Sequence, residues 1–118
     1  MIGFLRDVII SMGHALRGVV YVVRNERNAR VHLLAMCLVL IVAELAHISA
    51  EGFAALLVAI ALVFFAEIVN TAIEKTLDLI HPHHDERVGR IKDMAAAGVL
   101  VAALASLAIA IAVFASAF

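Results

Sequence analysis

The sequence has no tryptophan, one tyrosine, one proline and one cysteine among its 118 residues. A lone cysteine, Cys37, excludes a disulfide framework and a metal–thiolate cluster. It sits inside an apolar run and reads as a small hydrophobe. The lone proline, Pro82, stops the helix before it. Charge is also scarce: Asp, Glu, Lys and Arg make up 16% of the chain, and they balance to −1. No basic surplus marks a nucleic-acid partner. No cleavable leader is expected, because the first 23 residues have no continuous apolar stretch and carry Arg6, Asp7, His14 and Arg17.

What fills the chain is hydrocarbon. The hydrophobic share is 65% and the mean hydropathy +1.09. No soluble domain of this size is so apolar, so the composition implies an all-α integral membrane protein of one domain, 1–118. Residues 4–24 repeat apolar side chains at helical spacing, with Asp7, His14 and Arg17 on the other side. They read as an amphipathic helix lying on the membrane surface. A polar hinge follows at 25–30, and then spanning helices are expected at 31–48, 53–80 and 94–118. At about 1.5 Å per residue each is long enough for most of a ~30 Å core. Glu44 and His47, near the end of the first span, read as structural. Every Lys and Arg flanks one side of these spans. The positive-inside rule therefore puts the N-terminus and the 81–90 loop in the cytoplasm and the C-terminus outside.

One stripe breaks the apolar pattern. On a helix turning about 100° per residue, Glu67, Asn70, Glu74 and Asp78 fall within roughly 80° of one another. Glu67 lies about 21 Å along the second span, still inside the hydrocarbon near its exit. A carboxylate there is costly unless paired, hydrated or metal-bound, which makes it a functional candidate. Glu26, Lys92 and Asp93 are expected at the same membrane face. Carboxylates and an amide beside Lys and Arg at a lipid–water boundary suit a Mg²⁺-nucleotide held over a lipid head group. No G-x-x-x-x-G-K-[ST] loop and no D-F-G motif is present, so neither common nucleotide fold applies. His81, His83 and His84 match no metal-binding spacing, and their loop reads as a solvated segment that touches a ligand. A cation- or proton-coupled transporter and a non-catalytic scaffold are the competing classes. The transporter would not need a basic, histidine-rich loop, and the scaffold would tolerate neutral replacement of the acids.

The stretch Glu67-Ile68-Val69-Asn70-Thr71-Ala72-Ile73-Glu74 with Asp78, followed by Ile91-Lys92-Asp93-Met94-Ala95-Ala96, resembles the prokaryotic diacylglycerol and undecaprenol kinase family. The segment from Arg24 to Leu33 is similar to that family's entry into its first span. The resemblance covers nearly the whole chain. It implies a homotrimeric integral membrane lipid kinase of the bacterial inner membrane, using ATP and Mg²⁺. It makes Glu67 the general base, beside the lipid, and Glu26 and Glu74 the Mg²⁺ ligands. Lys92 and Asp93 would contact ATP, with Asn70 and Asp78 in support. Arg6, His14, His83, His84 and Asp85 fall near family nucleotide contacts. Ala96 stands where the enterobacterial branch carries a serine. That alanine, the Glu26–Leu33 stretch and the missing tryptophan resemble the Gram-positive branch, which implies undecaprenol as the acceptor in preference to diacylglycerol. Three spanning helices are not expected to shield Glu67 and Asn70 while enclosing a nucleotide. An oligomer is expected, and whether each site is shared, with Glu26 and Glu67 from different chains, or built within one chain is left open by the residues.

Overall fold

A computed structural model describes all residues 1–118 and is entirely helical: α1 (Ile2–Asn25), α2 (Arg27–Leu45), α3 (Ala50–Ile80) and α4 (Glu86–Ala117). Helices α2, α3 and α4 are each long and apolar enough to cross a membrane, with mean hydropathies of 1.7, 2.6 and 2.6. Burial tells the same story. Only 10 of 118 residues are buried, and large apolar side chains such as Leu34, Val58, Phe65 and Leu100 stand exposed along the helices. A chain folding in water would bury such groups at about 25 cal/mol per Å². Lipid removes that drive, and packing rests on close approach of small side chains instead. Ala29 and Ala43 of α2 are fully buried, and Met36, Val63 and Ala102 form a small three-helix core backed by Ile60, Phe64 and Ala66. The Ser106 hydroxyl donates to the Ala59 carbonyl at 3.0 Å, tying α4 to α3.

The connections are shorter than the sequence pattern predicts. The polar hinge at 25–30 narrows to one extended residue, Glu26 (φ −108°, ψ 114°). The guanidinium of Arg30 donates to the carbonyls of Arg24 and Val23 at 2.7 and 3.2 Å. It thereby satisfies groups that the end of α1 leaves open, so α2 can begin at once. Residues 50–52, expected in a turn, form the first turn of α3, because the Ser49 hydroxyl accepts the amide of Gly52 at 3.1 Å. Gly52 is needed here: a Cβ would lie 2.8 Å from Ile48 Cγ2 and 3.1 Å from Val113 Cγ1. The chain reverses before it through His47 in the left-handed region (φ 53°). Helix α4 starts at Glu86 rather than near 94, capped by Asp85.

The molecule measures 51 × 48 × 22 Å. Three helices abreast, at about 10 Å each, fill only some 30 Å of width. The remaining breadth is α1 running outward from the bundle, exposed along most of its length. Its second half, around Gly18 and Val22, lies beside α3 near Ile68 and Lys75.

Candidate active site

Helices α2 and α3 are antiparallel neighbours, and their register decides which polar groups meet. Glu67 is 4% exposed, although it lies in the middle of an apolar helix. It is covered from α2: Nε2 of His32 stands 3.0 Å from Glu67 Oε1. Within one chain this carboxylate is already covered, because a polar side chain on the next helix lies against it, while Asn70 is half-buried. Two turns toward the α3 C-terminus, Lys75 Nζ meets Glu26 Oε1 at 3.3 Å. The α1–α2 break thus sets Glu26 against the same seam.

Between these two contacts lie Asn70 and Glu74. Asn70 Nδ2 donates to Glu74 Oε1 at 3.4 Å, while Asn70 Oδ1 is buried with no partner. Buried oxygens are seldom left unpaired, so this one is open to a hydrogen-bond donor, a water or a cation. Glu67 and Glu74 lie about 10 Å apart along the axis at the helical rise. No group of three or more His, Cys, Asp or Glu gathers in metal-binding range. Mg²⁺ does not require one, since it takes one or two carboxylates and completes its shell with phosphate oxygens and water. Glu26, Glu74 and the unpaired amide oxygen are hard oxygen donors of the right kind.

Beyond the seam, Lys92 Nζ donates to Asp78 Oδ1 at 2.7 Å, which brings α4 to the end of α3. Asp93, one residue on, is exposed. Asp85 is occupied structurally. It caps α4 through the Arg87 amide at 2.8 Å, takes a second 2.8 Å contact from Arg87 Nη2, and lies 3.5 Å from His81 Nε2. The Arg87 hydrogen bonds hold its carboxyl well below the usual carboxylate range. His83 packs edge-on against His81, with ring centroids 6.4 Å apart, and His84 is exposed. Arg6 and His14 lie exposed on α1 and pair with nothing in the chain. Ala96 is also exposed, and the groove between α3 and α4 is lined by its neighbours Ala95 and Gly98. The structure thus gathers Glu26, Glu67, Asn70, Glu74, Asp78 and Lys92 along one end of the bundle. It leaves Arg6, His14, Asp93 and Ala96 apart from that line.

Two members of the cluster, His32 and Lys75, carry no signal in the α3 stripe. Only the α2–α3 hairpin register reveals them, because a short reversal at 46–49 sets His32 opposite the Glu67 region.

A bundle that buries a carboxylate at the edge of an apolar span and surrounds its open end with paired charges carries a functional membrane site, since a passive bundle is more stable without the acid. Residues 13–114 match the prokaryotic diacylglycerol kinase family. The chain is 38% identical over 104 residues to the undecaprenol kinase of Bacillus subtilis, covering 88% of this chain and 85% of that one. It is 35% identical over 101 residues to the diacylglycerol kinase of Synechocystis, covering 85% of this chain and 58% of that one. With the diacylglycerol kinase of Escherichia coli the identity is 34% over 100 residues, covering 85% and 81%. The chain belongs to the prokaryotic diacylglycerol kinase family, and it is a lipid kinase.

Proposed function

We propose that the chain transfers the γ-phosphoryl group of ATP to the hydroxyl of a membrane lipid alcohol at the cytoplasmic face, with undecaprenol as the preferred acceptor. The observation that carries this reading is the placement of Glu67: a buried carboxylate, 4% exposed, two turns below a donor-rich polar cluster. A lipid hydroxyl can approach Glu67 from the bilayer, and a nucleotide can approach Glu74, Glu26 and Lys92 from water. In the transfer the hydroxyl oxygen bonds to the γ-phosphorus and the bond to the ADP oxygen breaks. The hydroxyl proton passes to Glu67. Glu26 and Glu74, with the free oxygen of Asn70, would hold Mg²⁺, which supplies neutralisation of phosphate charge when bound. Lys92, steadied by Asp78, and Asp93 would hold the nucleotide. Arg6 and His14 on α1, lying in the membrane surface, and His83, His84 and Asp85 in the 81–85 connection would line its approach.

The acceptor is tested by comparing kcat/KM for undecaprenol and diacylglycerol in one detergent. The expected result is a clear preference for undecaprenol, in keeping with the Bacillus relative. A kcat/KM for diacylglycerol at least as high would favour the second reading, a diacylglycerol kinase, which the Synechocystis and Escherichia relatives support. Loss of all lipid phosphorylation without Mg²⁺ is expected in either case.

The working unit is proposed to be a homotrimer, in which a site either is shared between chains or uses the Glu26 that meets Lys75 on the same chain's α3. The small share of buried surface and the outward reach of α1 support an assembly. Mixing Glu26→Gln with Glu67→Gln subunits tests the sharing. If one site draws Glu26 and Glu67 from different chains, random equal mixing leaves about a quarter of the sites intact, because each site needs one wild-type residue from each of two chains. Recovery to that level would establish shared sites, and no recovery in demonstrably mixed oligomers would mean that each site takes both residues from one chain.

A further inference from the structure

The lipid-kinase reading uses Glu67 but gives no role to the one side chain that touches it. His32 comes from a different helix, lies about 31% exposed at its side chain against 6% for Glu67, and approaches Oε1 at 3.0 Å. A carboxylate accepts hydrogen bonds and an imidazole Nε2–H can donate one, so a 3.0 Å approach is the distance at which such a contact forms. His32 is the one side chain in polar contact with the Glu67 carboxylate. The 3.0 Å contact thus involves one carboxylate oxygen and leaves the other without a side-chain partner. His32 also lines an apolar groove of about 200 Å³ between the helices, with Ala35, Met36 and Val63.

We propose that His32 is a positioning residue for Glu67: its Nε2–H fixes one carboxylate oxygen and thereby presents the other to the lipid hydroxyl. This inference rests on the reading of Glu67 as the general base. The choice of residue follows from the task. A carboxylate in an apolar helix pair needs one donor to be tolerated and oriented. A Lys or Arg in the same place would hold the carboxylate with a full positive charge and make it a poorer proton acceptor. An imidazole N–H orients it without a permanent charge. The ring is anchored on α2 and the acid on α3, so the bond also fixes the acid relative to the seam where Glu26 meets Lys75. Misplacement of a reacting group by about 1 Å can cost on the order of 100-fold in rate, so a fixed carboxylate matters.

The test uses the full chain in detergent micelles with lipid alcohol and MgATP. His32→Leu removes the donor at similar volume. It is expected to lower kcat by about 10–100-fold with both KM values within about threefold. His32→Gln places an amide N–H where Nε2 stands, and it is expected to recover kcat to within about threefold of wild type. In the Glu67→Gln background, His32→Leu should add no further loss, because the two residues act as a unit. Nitrogen NMR of histidine-labelled protein should show a protonated His32 Nε2 whose resonance shifts in Glu67→Gln. The inference is overturned by near-normal kcat in His32→Leu, by a His32→Gln variant as slow as His32→Leu, by additive losses in the double variant, or by an unprotonated Nε2. Near-normal turnover in Glu67→Gln overturns the general-base reading itself and this inference with it. A slow Glu67→Gln beside a near-normal His32→Leu overturns only the role of His32.

Discussion

Glu67→Gln is expected to lower turnover by about two to four powers of ten while MgATP binding stays within about threefold, the signature of losing a general base. The substitution is close to isosteric. The amide oxygen can still accept from the His32 ring, so the α2–α3 contact at 3.0 Å survives. What disappears is a proton acceptor. The argument for this position is depth. Glu67 lies about 25 Å along α3 from its start, near the exit from a ~30 Å core, whereas Glu74 and Asp78 lie at or beyond that exit. A lipid hydroxyl anchored by its chain therefore meets Glu67 first. Single-turnover transfer of labelled phosphate, with nucleotide affinity measured separately by equilibrium binding, separates chemistry from binding. Turnover within a few-fold of wild type would remove Glu67 from the chemistry. Equal loss of nucleotide binding would move it into the metal or nucleotide site.

The parts of this molecule that one helix determines could be read directly from the residues. The acidic stripe belongs to α3 alone, so the helical repeat places Glu67, Asn70, Glu74 and Asp78 together without knowledge of any other element. The end of α3 at Ile80 was readable for the same reason, because Pro82 forbids its continuation. Helix starts were harder. Hydropathy marks where a chain enters hydrocarbon, not where it becomes helical. Residues 86–93 are polar and look like a loop until Asp85 is seen to cap them. Ser49 and Gly52 resemble a turn, yet the same two residues form the α3 cap. The side chains that meet the stripe lay out of reach. His32, and the pairing of Lys75 with Glu26, depend on the register between α2 and α3, which a sequence fixes only through packing. Asp85 was equally out of reach in its structural part: its oxygens cap α4 and hold Arg87, which only the start of α4 reveals.

Substitutions at the proposed metal ligands have the second largest expected effect, and their signature differs from that of Glu67. Glu74→Gln and Glu26→Gln are expected to raise the Mg²⁺ concentration needed for half-maximal rate by at least the 10–100-fold that loss of even an outer partner of a metal site costs, with kcat partly restored at saturating Mg²⁺. Mg²⁺ bound by few carboxylates cannot lose one without loss of affinity. The structure adds a contrasting variant. Lys75 holds Glu26 at 3.3 Å, so a cation already competes for that carboxylate. Lys75 is half exposed, and water and salt weaken its hold. Lys75→Met should therefore lower the Mg²⁺ requirement modestly, by about two- to fivefold at low ionic strength, with the gain shrinking as salt is added. Asn70→Ala should follow the ligand variants, because it removes the unpaired buried oxygen beside Glu74. Titrations of initial rate against free Mg²⁺ at fixed ATP read all four variants on one axis. The assignment fails if Glu74→Gln and Glu26→Gln lose kcat with an unchanged Mg²⁺ midpoint. It fails for Glu26 alone if Lys75→Met shifts the midpoint upward, because Lys75 would then be supporting the metal site and not competing with it.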